Sequence, residues 1–64
     1  MTILDLLENY DGDSFVQVID ENNNDLLFTN VKEAISDKGW DKVKSWSTSS
    51  LYGGCIHIKT TLND

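Results

Sequence analysis

One cysteine, Cys55, and one histidine, His57, stand in a chain of 64 residues. A single thiol closes no internal disulfide, and one Cys with one His assembles no zinc cluster. A domain this short buries only about 60% of the surface its unfolded chain exposes. It must therefore hold together through a compact apolar core, with self-association as an available aid. The hydrophobic share of 39% is low but sufficient, and there is no proline to interrupt regular structure.

The apolar pattern changes period along the chain. Ile3, Leu6, Leu7 and Tyr10 fall at i, i+3, i+4 and i+7, one face of a helix over 3–10, with Thr2 as its N-cap and Asp5 near the positive end of its dipole. Residues 14–20 (Ser-Phe-Val-Gln-Val-Ile-Asp) are β-branched and aromatic, with apolar residues on both faces, and read as a strand. Residues 21–24 form a turn in which Asn supplies left-handed backbone angles, and 26–29 return as a second strand. Asn30 and Glu33 then match a capping box for a second helix with Val31, Ala34 and Ile35 on its apolar stripe. Gly39 is placed to end that helix. Residues 43–48 and 55–61 form a second hairpin around a 49–54 turn. Its return strand sets Ile56 and Ile58 on one face, with Cys55, His57 and Lys59 on the other.

The expected fold is a single α+β domain over 1–64 in the order α-β-β-α-β-β. It is a mainly antiparallel four-stranded sheet with two short helices on one face.

Charge divides the chain. The first 31 residues hold seven carboxylates and no Lys or Arg; from Lys32 onward five lysines face four acids. From Ser45 to Ile58 there is no formally charged residue. The net charge of −6 disfavours direct binding to nucleic acid or to anionic lipid, which both need positive charge. No stretch approaches the roughly 20 apolar residues needed to span a bilayer. The acidic N-terminal region carries no secretory signal pattern, and with a free thiol this points to a cytoplasmic setting.

Chemistry-bearing motifs are sparse. Asp20, Asn22 and Asn24 match positions 1, 3 and 5 of a calcium loop, but Asp25 replaces its glycine and Val31 its closing glutamate, leaving a polar hairpin turn. Cys55 and His57 share a strand face about 7 Å apart by strand rise, too far for a nucleophile–base hydrogen bond. Gly53-Gly54 lacks the lysine and helix start of a phosphate loop, and the serines sit in no nucleophile context. With little volume for a pocket, the expectation is a non-enzymatic protein with no metal and no cofactor.

Two surfaces remain as candidates. The register of the second hairpin decides one of them. With Trp46 on the Ile56–Ile58 face, the tryptophan is core; shifted by one residue, Trp46, Tyr52 and His57 form an exposed aromatic patch for a protein partner or a homodimer. The other is acidic: Asp11, Asp13, Glu21 and Asp25 lie at turns and strand ends, and two such turns could project from one end of the sheet. The rival function is then a decoy that imitates nucleic-acid phosphates on a basic protein.

The opening Thr2-Ile3-Leu4-Asp5-Leu6-Leu7, the strand ending in Asp20-Glu21-Asn22-Asn23, the capped helix and Val43-Lys44-Ser45-Trp46-Ser47 resemble small uncharacterised accessory proteins of phages and prophages of Gram-positive bacteria. The resemblance implies a single-domain accessory protein with no assigned activity, and carries over no functional residue.

Overall fold

Thr2 and Asp5 begin the structure with a reciprocal cap. Asp5 N–H donates to the Thr2 hydroxyl at 3.1 Å, and Thr2 N–H donates to the Asp5 carboxylate at 3.0 Å. This computed structural model describes residues 1–10 and 12–61. Helix α1 spans Ile3–Leu7, shorter than the apolar stripe, so Tyr10 leaves the helix and its hydroxyl meets that of Ser14.

Strands β1 (Phe15–Ile19) and β2 (Asp25–Asn30) form the first hairpin. Its turn is organised by Asp20, whose carboxylate accepts from Asn22 N–H, Asn24 N–H and the Asn24 side-chain amide. Asn23 takes φ +64° there, the left-handed angle that Asn tolerates. Asn30 ends β2 and caps helix α2 (Val31–Lys38) by accepting from Glu33 N–H at 2.8 Å. Strands β3 (Val43–Ser49) and β4 (Cys55–Thr60) form the second hairpin, joined through a 3-10 turn at Leu51–Gly53.

Gly39 follows α2 with right-handed angles, φ −54°, so positive φ is not why glycine stands there. The cause is close approach. A Cβ would run into the Ile35 carbonyl oxygen, and the Gly39 carbonyl accepts from Leu4 N–H at 2.8 Å. Ile3 N–H reaches the Asp41 carbonyl. Two orphan donors of the first turn of α1 are thus satisfied by the segment that leaves α2.

The element order matches the sequence reading with the 3-10 turn added, but the sheet is mixed. Strand order is β2-β1-β4-β3, and the inner pair β1–β4 is parallel. Each hairpin is antiparallel. Helix α2 carries the chain from the β2 edge to the β3 edge, so the second hairpin enters from the far side and its return strand lands beside β1 in the same direction.

One face of the sheet holds Val16, Val18, Ile56 and Ile58, which pack with Ile3, Leu7 and Ala34; all are at most 5% exposed. At about 25 cal/mol per Å2 this burial is the main stabilising term. The other face carries no helix.

Candidate functional site: the open sheet face

Register assigns the side chains of the uncovered face. Phe15 stands opposite Cys55, Gln17 opposite Phe28 and His57, and Ile19 opposite Lys59; paired residues share a face. Phe15 and Phe28 stack with centroids 5.6 Å apart. Tyr52, from the 3-10 turn, sets its ring at 80° to Phe28 and 75° to Phe15. The three rings pack directly on one another, so no space opens between them for a cation. Their outer surfaces stay in water: Phe28 is 49% and Tyr52 69% exposed. Tyr52 also holds φ +56°, a left-handed angle that costs a non-glycine residue about 1–3 kcal/mol. Gly53 and Gly54 continue the turn at φ +81° and +136°.

Beside the rings, a line of hydrogen bonds crosses all four strands. The Gln17 side-chain amide donates to Asp25 Oδ1 at 3.2 Å, which turns Gln17 Oε1 toward His57 Nδ1 at 2.7 Å. His57 Nε2 lies 2.8 Å from Ser49 Oγ, and Ser49 Oγ accepts from Leu51 N–H at 3.3 Å. The Gln17 amide orientation sets Nδ1–H of His57 against Gln17 Oε1, and the Ser49 hydroxyl shares a hydrogen bond with Nε2. Cys55, buried at the end of this line, places Sγ 4.0 Å from His57 Nδ1. Side-chain lean therefore brings the thiol and the ring closer than strand rise alone implies.

Ser49, His57 and Gln17 have the spacing of a nucleophile, a base and an orienting group. The sequence offered no cue to this because Ser49 reaches His57 only through the β3–β4 register. Two features work against nucleophilic chemistry. The orienting group is a neutral amide, which stabilises an imidazolium less than a carboxylate would. Ser49 Oγ is also committed to Leu51 N–H. The line is well suited to holding the open face rigid.

The proposed aromatic patch is divided by the structure. Trp46 stands opposite Ile58, on the helix-side face, whereas His57 lies on the open face and Tyr52 joins the phenylalanines. Trp46 is nevertheless 51% exposed rather than core, because α2 packs against β2 and β1, at the other side of the sheet. Phe15 and Phe28, not singled out by sequence, take its place beside Tyr52.

The acids do not converge either. Asp13 precedes β1, whereas Glu21 and Asp25 flank the turn beyond its other end; Asp11 lies outside the described residues. Two acidic turns projecting from one end of the sheet are therefore absent among the described residues. Glu21 is also partly neutralised by Lys44 Nζ at 3.8 Å. The carboxylate that does most in the turn is Asp20. It is pulled below its ordinary range, chiefly by the Asn24 N–H, with burial opposing and the Asn24 amide and Asn22 N–H adding to the effect.

The expectation of little pocket volume fails as well. A groove of about 520 Å3 open to solvent lies beside Phe15, lined by Leu7, Tyr10, Val31 and Ile35, with Glu8, Asp13 and Lys32 among its polar groups. Among the described residues no group of three or more His, Cys, Asp or Glu is placed to hold a metal ion, and no helix is long and apolar enough to cross a membrane.

Comparison of the chain with protein-family models, with curated proteins and with solved structures found no match.

Proposed function

We propose that this chain is a non-enzymatic accessory protein that acts by binding another protein through its open sheet face. The observation that carries the reading is the Phe15–Phe28–Tyr52 cluster. Three large aromatic side chains stand in water on a face that no helix covers, and one of them occupies a strained backbone position. Aromatic anchors on a rigid platform are the usual energetic centres of protein interfaces, and strain tends to collect where a side chain is held for use.

Charge selects the partner. Asp13 sits two residues before Phe15, Asp25 lies beside Gln17, and Glu8 borders the adjoining groove. The fitting surface is an apolar side chain set between basic residues on a partner protein. The acids then steer encounter while the rings supply the contact. A phage or prophage accessory role is the setting that the resemblance implies.

The test is capture from a host extract with the wild-type chain, Phe28→Ser and Trp40→Ser. Trp40 is 82% exposed and stands outside the proposed face. A protein retained by wild type and Trp40→Ser, lost with Phe28→Ser and weakened by salt supports the reading. A partner held equally by all three chains overturns it.

A further inference from the structure

Topology sorts the two outer edges of the sheet by charge, the β3 edge being met only at its start, where Thr2 bridges Lys42 and Val43 N–H donates to the Met1 carbonyl. The β2 edge begins with Asp25, follows the turn that holds Asp20 and Glu21, packs against α2, and carries a bulge at Leu26 because Val18 faces Leu27 while Ile19 faces Asp25. The β3 edge is different. Its one bulge, at Lys44, falls at the start, where Val43 faces Thr60 and Ser45 faces Lys59. Ser45–Ser49 then runs with no charge, no proline and no further register shift. Charges, bulges and covering helices are how proteins blunt an edge strand; β2 has all three, and Ser45–Ser49 has none.

We propose that β3 pairs antiparallel with β3 of a second copy about a two-fold axis near Ser47, joining two sheets into one of eight strands. Four observations favour a second copy as the occupant. Antiparallel pairing about Ser47 sets Lys44 of each strand opposite the uncharged Ser50 of the other, so no like charges meet. The β2 edge lies three strand spacings away, about 14 Å, beyond the screening length of about 8 Å at physiological salt, and Glu21, the acid of its turn that reaches β3, is paired with Lys44. Trp46, 51% exposed on the helix-side face, comes opposite Thr48 of the other copy where no helix covers it. A 64-residue domain with one cysteine also lacks any internal covalent staple, and a partner subunit supplies what small cores lack. One strand pairing buries less than the roughly 1,200 Å2 of a standard interface, so the dimer is weak and concentration-dependent. The seam uses the outward backbone groups of β3 whereas the docking reading uses the Phe15, Phe28 and Tyr52 rings, so this inference stands apart from that reading.

The test is sedimentation equilibrium of the full chain from micromolar to millimolar concentration, with amide spectra over the same range. The expected mass climbs from 7.2 kDa toward twice that value, with concentration-dependent shifts confined to Ser45–Ser49. Ser47→Lys, confirmed as folded by its urea transition at micromolar concentration, stays monomeric; Leu26→Lys on the opposite edge still associates. A wild-type mass constant at the monomer value up to millimolar concentration overturns the proposal. So do concentration-dependent shifts at Asp25–Asn30, or association that survives in folded Ser47→Lys.

Discussion

His57 Nδ1 stands 2.7 Å from Gln17 Oε1 across the parallel β1–β4 pair. The orientation of the Gln17 amide is fixed independently, because its NH2 faces the Asp25 carboxylate; the reversed amide would set two acceptors against each other. Nδ1 must therefore carry a proton, with Nε2 in a hydrogen bond with the Ser49 hydroxyl. Long-range nitrogen–proton correlation is expected to show a proton on Nδ1. In Gln17→Leu the preference for that nitrogen is lost. A wild-type ring protonated at Nε2 instead would break the cross-strand line.

The same line yields a chemical prediction. With Ser49 Oγ held by Leu51 N–H and a neutral amide behind His57, the hydroxyl is not activated. A fluorophosphonate probe is expected to label Ser49 no faster than it labels His57→Ala or the other serines. Rapid stoichiometric labelling at Ser49, read by mass spectrometry, would instead assign the chain a serine-nucleophile chemistry.

Stability is expected to fall in acid through Asp5 and Asp20. Both carboxylates sit below their ordinary range, Asp5 chiefly through the Thr2 N–H and Asp20 chiefly through the Asn24 N–H. A pKa lower in the folded than in the unfolded chain means that the unfolded chain binds the proton more readily. The contribution is therefore present above about pH 4 and is lost as pH drops through the folded values. Urea midpoints measured down the pH scale should decline below that point, and Asp20→Asn should flatten the decline while lowering the midpoint at neutral pH.

Core and open face should respond differently to truncation. Ile58 is fully buried, and Ile58→Ala is expected to cost about 2–5 kcal/mol. Phe28 is 49% exposed, and Phe28→Ser is expected to cost less, about 1–2 kcal/mol, through its ring contacts and the half of its surface that is buried. Equal losses for the two variants in urea unfolding would make the ring cluster a part of the folding core.

Gly39→Ala is expected to destabilise by about 1–3 kcal/mol, the range for overfilling a packed site, because the new methyl meets the Ile35 carbonyl. A substitution that raised the urea midpoint, as expected where glycine only loosens the unfolded chain, would show that the α1–α2 junction has room.

Local chemistry was legible in the sequence, and partnership was not. Thr2 and Asn30 announce their helices because a cap is written within three residues. Asn23 announces its turn, and the alternation of Ile56 and Ile58 with Cys55, His57 and Lys59 announces which side chains share a face. Nothing in that alternation says that β4 lies beside β1, or in which direction, since a period of two is the same in parallel and antiparallel pairs. The Gln17–His57–Ser49 line and the stack of Phe15, Phe28 and Tyr52 depend on that pairing, so both were invisible. Trp46 was weighed as core or patch, and reach decided its exposure: it sits on the core side of an edge strand away from α2. Gly39 is legible as a helix end, but its close approach to the Ile35 carbonyl is written nowhere in the local pattern.

The most direct measurement is an amide and aromatic shift map of the isotope-labelled chain as the captured partner, once purified, is added. Binding through the open face predicts shifts centred on Phe15, Gln17, Phe28, Tyr52 and His57, with the outer face of α2 unmoved. Shifts centred on Glu33, Ser36 and Asp37, with the three rings unchanged, would contradict it.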